Sequence, residues 1–181
     1  ICGGYQMLGE LLLDPDGIES DRQQMEGLRL LPMTTRFAAE KKTERVSGAA
    51  TSLFGLQEPL AVTGYEIHMG RSTFTQPVTQ PFRTRLLREP DAPHAYHDDG
   101  AVSHDGRVWG TYIHGILHND ELRLAWLNEI RASRGLPLAR EAVPFGIIRE
   151  RSFDRLAEHF RAHVNMERIY QLIRIGAEAH E

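Results

Sequence analysis

The chain has 181 residues, 21 of them basic and 25 acidic, with 41% hydrophobic and 25% charged side chains, a composition that excludes disordered, collagen-like and coiled-coil chains. A net charge of −4 without any run of lysines and arginines excludes a polyanion-binding surface, so neither nucleic acid nor an anionic membrane is expected as a partner. No apolar run reaches the roughly 20 residues of a bilayer span, no leader opens the chain, and the single cysteine, Cys2, permits no internal disulfide, which together point to the cytoplasm.

In chain order, residues 2–13 place Tyr5, Leu8, Leu11 and Leu12 at helical spacing behind Gly3-Gly4 and stop at Asp14-Pro15-Asp16-Gly17, which predicts a buried helix. Short β-prone runs at Leu28–Leu31, Arg45–Ala49 and Ala61–His68 predict strands, separated by turn formers and by the charged stretch Glu40–Glu44. Residues 88–100, with two prolines and few aliphatics, predict a surface excursion. Asp99-Gly100 and Asp105-Gly106 bracket Ala101–His104, and the run Arg107–Ile113 completes a hairpin that leads into His114. Asn119 reads as an N-cap, with Asp120 and Glu121 in the first turn of a helix that carries Leu122, Ala125, Trp126, Leu127 and Ile130 and ends near Gly135. The apolar spacing over 151–173 predicts one helix broken near Asn165, or two short ones. Strands and helices interleave, so the expected class is α/β, a central sheet flanked by helices with added antiparallel hairpin content.

Two residues stand where chemistry is done. Cys2 precedes a glycine pair that opens a helix, a place where helix-terminal N–H groups stabilise a thiolate and a strand-to-helix turn exposes the sulfur. A small buried structural cysteine fits the same local context equally well. His114 ends an apolar strand between Gly110 and Gly115, where catalytic side chains of α/β proteins commonly emerge; a satisfied strand-edge histidine is the alternative. The close pairs His94 and His97, His114 and His118, and His159 and His163 lack partners at ligand spacing, so no metal site is expected and solvated histidines account for them. There is no GxxxxGK[ST] phosphate loop, so no nucleotide is expected on this chain.

Ile1-Cys2-Gly3-Gly4-Tyr5-Gln6-Met7-Leu8-Gly9 resembles the nucleophile elbow of the class I glutamine amidotransferases, in particular their cobyric acid synthase branch. Gly64-Tyr65-Glu66-Ile67-His68-Met69-Gly70-Arg71 is similar to that branch's internal motif, Gly110-Thr111-Tyr112-Ile113-His114-Gly115 to its catalytic-histidine segment, and Phe153-Asp154-Arg155-Leu156-Ala157 to its C-terminal helix. The resemblance implies a flavodoxin-like fold, with residues 1–181 forming a glutaminase domain whose N-terminal strands, and an upstream ATP- and Mg-dependent synthetase domain, precede Ile1. It implies that Cys2 attacks the amide of L-glutamine, that His114 moves the proton, and that the Gly3 N–H stabilises the oxyanion. Gln6 is then expected to help hold the substrate. The released ammonia would serve amidation of a corrinoid at the synthetase domain; this domain itself would carry no cofactor. The family's usual orienting glutamate, two residues past the histidine, is Ile116 here, as in the cobyric acid synthase branch, which implies a Cys-His dyad. Glu66 is a candidate substitute orienter or substrate contact, and His68 and Arg71 share that open role. Three rival readings are a cobyrinic acid a,c-diamide synthase glutaminase, an N-terminal-nucleophile amidotransferase, and an inactive docking domain.

Overall fold

The computed structural model describes residues 1–88 and 96–178, and side chains to residue 174. Two compact units divide the chain, residues 1–142 and 143–181. In the first, α1 (Gly3–Met7) is followed by β1 (Leu11–Leu13), β2 (Gln24–Glu26), β3 (Met33–Ala50), β4 (Leu60–Phe74), β5 (Phe82–Leu86), β6 (Tyr96–Asp99), β7 (Ala101–Val102), β8 (Trp109–Gly110), β9 (Ile113–His114) and α2 (Asp120–Ser133). The second holds α3 (Phe145–His163) and α4 (Met166–Glu178).

The spine is the antiparallel pair β3–β4, in register from Met33 opposite Phe74 to Ala50 opposite Leu60. β4 carries Val, Thr, Tyr, Ile and Phe and the first half of β3 carries Thr and Phe, residues that fit a half-buried pleated surface. The ladder is interrupted between Phe37 and Lys42, where residues 38–41 face Met69 alone, a bulge that divides β3 into two halves. The first half takes β1 as a parallel neighbour, and β2 pairs with β1. The second half takes β5 antiparallel, and β6 pairs with β5. On the far edge of β4 lies β9. The sheet is therefore mixed, as an α/β domain with added hairpins requires, but among the described residues antiparallel pairs dominate and β1–β3 is the parallel one.

One core cluster, built from Val46, Ala50, Val62, Phe82, Ile113, Ile116 and Leu122, joins the sheet to α2. A second, Tyr5, Leu31, Met33, Ala101 and Tyr112, joins it to α1. The strands expected at 45–49 and 61–68 are present but longer, because the charged stretch Glu40–Glu44 is part of β3 and does not separate two strands. The helix expected over 2–13 stops at Met7: Glu10 N–H bonds Met33 O at 2.7 Å, and Leu11–Leu13 join the sheet, so strand pairing overrides helical spacing. Leu28–Leu31 is not a strand. Its N–H groups bond the carbonyls of Met7, Leu8 and Gly9 at 2.8–2.9 Å and so satisfy the end of α1.

Of the excursion expected at 88–100, residues 89–95 lie outside the described residues, while Tyr96–Asp99 forms β6, with Arg83 and Arg85 over the Tyr96 ring at 5.7 and 5.5 Å. The run Arg107–Ile113 splits into β8, paired with β7 as the expected hairpin, and β9, which belongs to the main sheet. Asn119 stands at the N-cap of α2, but its side chain does not cap the helix: Oδ1 accepts Thr63 N–H at 2.9 Å and Nδ2 donates to Thr63 O and Ile116 O, tying the helix start to β4. The helical break expected near Asn165 is present, and there Asn165 Oδ1 accepts Arg168 N–H at 2.9 Å as a cap. No helix among the described residues is long and apolar enough to cross a membrane.

Phe82 is fully buried where β5 meets the first core cluster. Phe82→Ala is expected to destabilise the domain by about 3–5 kcal/mol, read as a lowered denaturation midpoint at unchanged slope.

Candidate active site

Cys2 occupies the turn into α1 at φ 52° and ψ −119°, a conformation that suits glycine and strains an L-residue by about 1–3 kcal/mol. The turn is fixed from both sides: Cys2 N–H bonds Thr111 O at 2.9 Å, Gly4 N–H bonds Ile1 O at 3.1 Å, and Gln6 N–H bonds Cys2 O at 3.0 Å. The half-buried thiol lies 3.4 Å from Ile67 O on β4. Gly3 and Gly4 are exposed, and a Cβ on either would meet only open space.

His114 lies on β9, directly opposite Tyr65 in the β4 ladder. Tyr65 and Ile67 are two residues apart, so the thiol and the imidazole abut β4 within about 7 Å along the strand. Gly64 makes that approach possible, because a Cβ there would overlap His114 O and the Ile113 side chain. Among the described residues, His114 Nε2 is buried and has no hydrogen-bond partner, a state that costs free energy unless something else uses the nitrogen. Ile116, two residues on, is fully buried in the first core cluster and cannot orient the ring by hydrogen bonding.

The carboxylate of Glu66 is buried, on the inward row of β4 with Val62 and Gly70. Its Oε1 accepts from His97 Nε2 at 2.9 Å, and its Oε2 faces His68 Nε2 at 3.5 Å and pairs with Lys42. Burial alone would raise its pKa, but the hydrogen bonds from His68, His97 and Lys42, with the Lys42 charge, hold it far below the usual carboxylate range. Both oxygens are therefore engaged, and neither orients His114, contrary to the substitute-orienter expectation. His97 is not a solvated loop histidine either: on β6 it contacts Glu66 and Thr84. His94 lies outside the described residues. Arg71 is exposed and paired with Glu40 at 2.5 Å, at a cavity of about 510 Å³ that opens over the bulge and borders Lys42 and His68 but not Cys2.

Gln6 is buried beneath the elbow; its Nε2 donates to Tyr112 OH at 3.3 Å, and a Cβ on Gly70 would overlap it. Tyr112 OH bonds Ser72 Oγ at 2.7 Å, its ring stacks on His68 at 3.9 Å, and Tyr5 meets it edge-on at 5.2 Å. Burial pushes the Tyr5 and Tyr112 hydroxyls up, so both are neutral, and that of Tyr112 is the hydrogen-bonding one. Asp99, raised by its own burial, accepts from Thr111 Oγ1 and from Tyr112 N–H, and so holds the loop that carries Thr111 O to Cys2. Tyr65, Tyr112, Asp99, Lys42 and His97 are the members of this assembly that sequence reasoning missed. The signal for two of them lay in the alternation of β4: a glutamate on an inward row requires side chains that donate hydrogen bonds to it. His159 and His163 lie on α3, in the other unit, ring to ring at 4.2 Å. No group of three or more His, Cys, Asp and Glu among the described residues is placed to hold a metal ion.

A thiol on a strained turn into a helix, with a histidine presented from a strand paired with β4, defines a class: residues 1–122 match the family model of the CobB/CobQ-like glutamine amidotransferase domain, and the chain belongs to that family. Within it, the chain is similar to cobyric acid synthases, 45% identical over 175 residues to that of Geobacillus thermodenitrificans, covering 96% of this chain and 32% of that protein. The cobyric acid synthase of Caldanaerobacter subterraneus is 42% identical over 181 residues (96% and 34%), and that of a Thermoanaerobacter species 39% over 177 residues (96% and 34%). The chain thus spans about a third of the length of the curated relatives it matches.

Glu66→Gln removes the charge and leaves Lys42, whose side chain is 34% exposed, beside a neutral amide. A loss of about 3 kcal/mol is expected near neutral pH. Because folding lowers the Glu66 pKa, its contribution is complete above the unfolded value of about 4.3 and is lost as the pH falls through the lower folded value. Denaturant titrations should therefore show the gap between parent and variant closing progressively below about pH 4.

Proposed function

We propose that residues 1–181 form the glutaminase domain of a glutamine-dependent cobyric acid synthase in cobalamin biosynthesis. The observation that carries the reading is the pairing of a thiol at a glycine-like turn with a histidine whose Nε2 is buried and unbonded, both anchored on one stretch of β4. His114 takes the Cys2 proton as the sulfur attacks the side-chain amide carbon of L-glutamine. The oxyanion forms on the open side of Gly3, whose N–H stabilises it. His114 then delivers the proton to the departing amine, and ammonia leaves a glutamyl thioester. Water attacks the thioester with His114 as base, releasing glutamate and restoring the thiol. Gln6 shapes the substrate site from below, through its bond to Tyr112 and its contact with Gly70.

The length of the relatives and the soluble character of the composition support the remainder of the proposal: a cytoplasmic protein in which an N-terminal synthetase domain uses ATP and Mg to activate carboxylates of adenosylcobyrinic acid a,c-diamide, which the ammonia converts to amides. Buried Glu66 then serves the framework and does not touch glutamine.

In the full-length protein, Cys2→Ala is expected to abolish glutamate release, and His114→Ala to slow it by about 10²–10⁴-fold. Amidation driven by added ammonia should persist in both variants. Glutamate release by Cys2→Ala at the parental rate would sink the assignment.

A further inference from the structure

His114 faces a problem that the fold leaves open. Its strand β9 is two residues long, and Gly115 follows at φ 74°. The neighbours Ile113 and Ile116 are fully buried and fix the backbone, but they point into the core and not at the imidazole. Among the described residues no carboxylate holds the ring: Nε2 is unbonded, position 116 is isoleucine, and the nearby Glu66 is taken up by Lys42, His68 and His97. A general base free to rotate would spend little of its time aimed at the thiol.

One side chain lies flat against it. The Tyr65 ring stacks on His114 with centroids 5.3 Å apart and planes 12° from parallel, and the two residues are exact cross-strand partners. Tyr65 is 44% exposed, far more than a core aromatic. Its position is therefore not explained by burial of its own surface. Gly64, immediately before it, clears the space that lets β9 come close enough for the rings to meet.

We propose that Tyr65 is the positioning residue for His114, and that the face of its ring does here what an orienting carboxylate does in a three-member catalytic set. The stack restricts rotation of the imidazole while leaving both ring nitrogens free for proton transfer. It also presents π-electron density to the imidazolium formed once the thiol proton is taken up. The phenolic hydroxyl has no part in this, so a phenyl ring suffices. The inference rests on the glutaminase reading above.

The test is steady-state glutamate release by the full-length protein carrying Tyr65→Phe, Tyr65→Leu, Tyr65→Thr or Cys2→Ala, with ammonia-driven amidation and the thermal midpoint recorded for each. Tyr65→Phe is expected within about twofold of the parent in kcat, whereas Leu and Thr, which keep β propensity without a ring, lose about 10–100-fold in kcat with KM changed less than about threefold. Ammonia-driven activity and midpoint should be unchanged, which a loss of fold would not allow. Parental kcat in Leu and Thr overturns the proposal, as does a loss confined to KM, which would make the ring a substrate wall. A Phe variant as slow as Leu overturns it too, since the hydroxyl would then carry the effect. If Cys2→Ala releases glutamate at the parental rate, the glutaminase reading itself fails, an outcome distinct from all of these.

Discussion

A single buried carboxylate organises the centre of this domain. Glu66 occupies a place in the inward row of β4 that a hydrophobic residue would normally fill, and an uncompensated charge there would cost several kcal/mol. Compensation comes from three strands: Lys42 from β3, His68 from β4 itself and His97 from β6. One charge thereby fixes how β3, β4 and the β5–β6 branch meet at the bulge, where the backbone ladder alone is interrupted.

The consequences extend to the elbow through packed contacts. His68, held by Glu66 and by Gly70 O at 2.8 Å, forms the face on which Tyr112 stacks. Tyr112 in turn holds the Gln6 amide below α1, and the same loop offers Thr111 O to the Cys2 N–H. Cys2 therefore owes its place to groups on β4 and on the β8–β9 connection more than to its own five-residue helix, which is too short to be stable alone. The motif from Gly64 to Gly70 reads physically as an alternation: two glycines give room to β9 and to Gln6, odd positions meet the His114 ring and the thiol, and even positions build the support beneath.

Much of this was legible in the sequence, and what was not has identifiable causes. The turn signals at Asp105-Gly106 and the helix behind Asn119 are local, and they appear where local chemistry places them. Residues 2–13 carry helical spacing, yet Leu11–Leu13 gain more from pairing with β3 than from continuing a short helix. The charged stretch Glu40–Glu44 reads as a break because acidic and basic side chains suit solvent; as a bulged strand it keeps Glu40 and Lys41 there and turns Lys42 toward buried Glu66 while the backbone continues. Cys2 and His114 were marked by flanking glycines and by family resemblance. Lys42 and His97 carried no such mark, and Tyr65, although it follows Gly64 within the Gly64–Arg71 motif, showed no role there, since all three roles arise from register between strands distant in sequence.

The backbone at Cys2 carries a further implication. At φ 52° and ψ −119°, the residue that would relax this turn is glycine, which removes the thiol along with the strain. The position is therefore contested between foldability and reactivity: drift toward greater stability leads directly to loss of sulfur, and an inactive descendant of this domain should be recognisable by a glycine run lengthened by one at its elbow while the surrounding ladder stays intact.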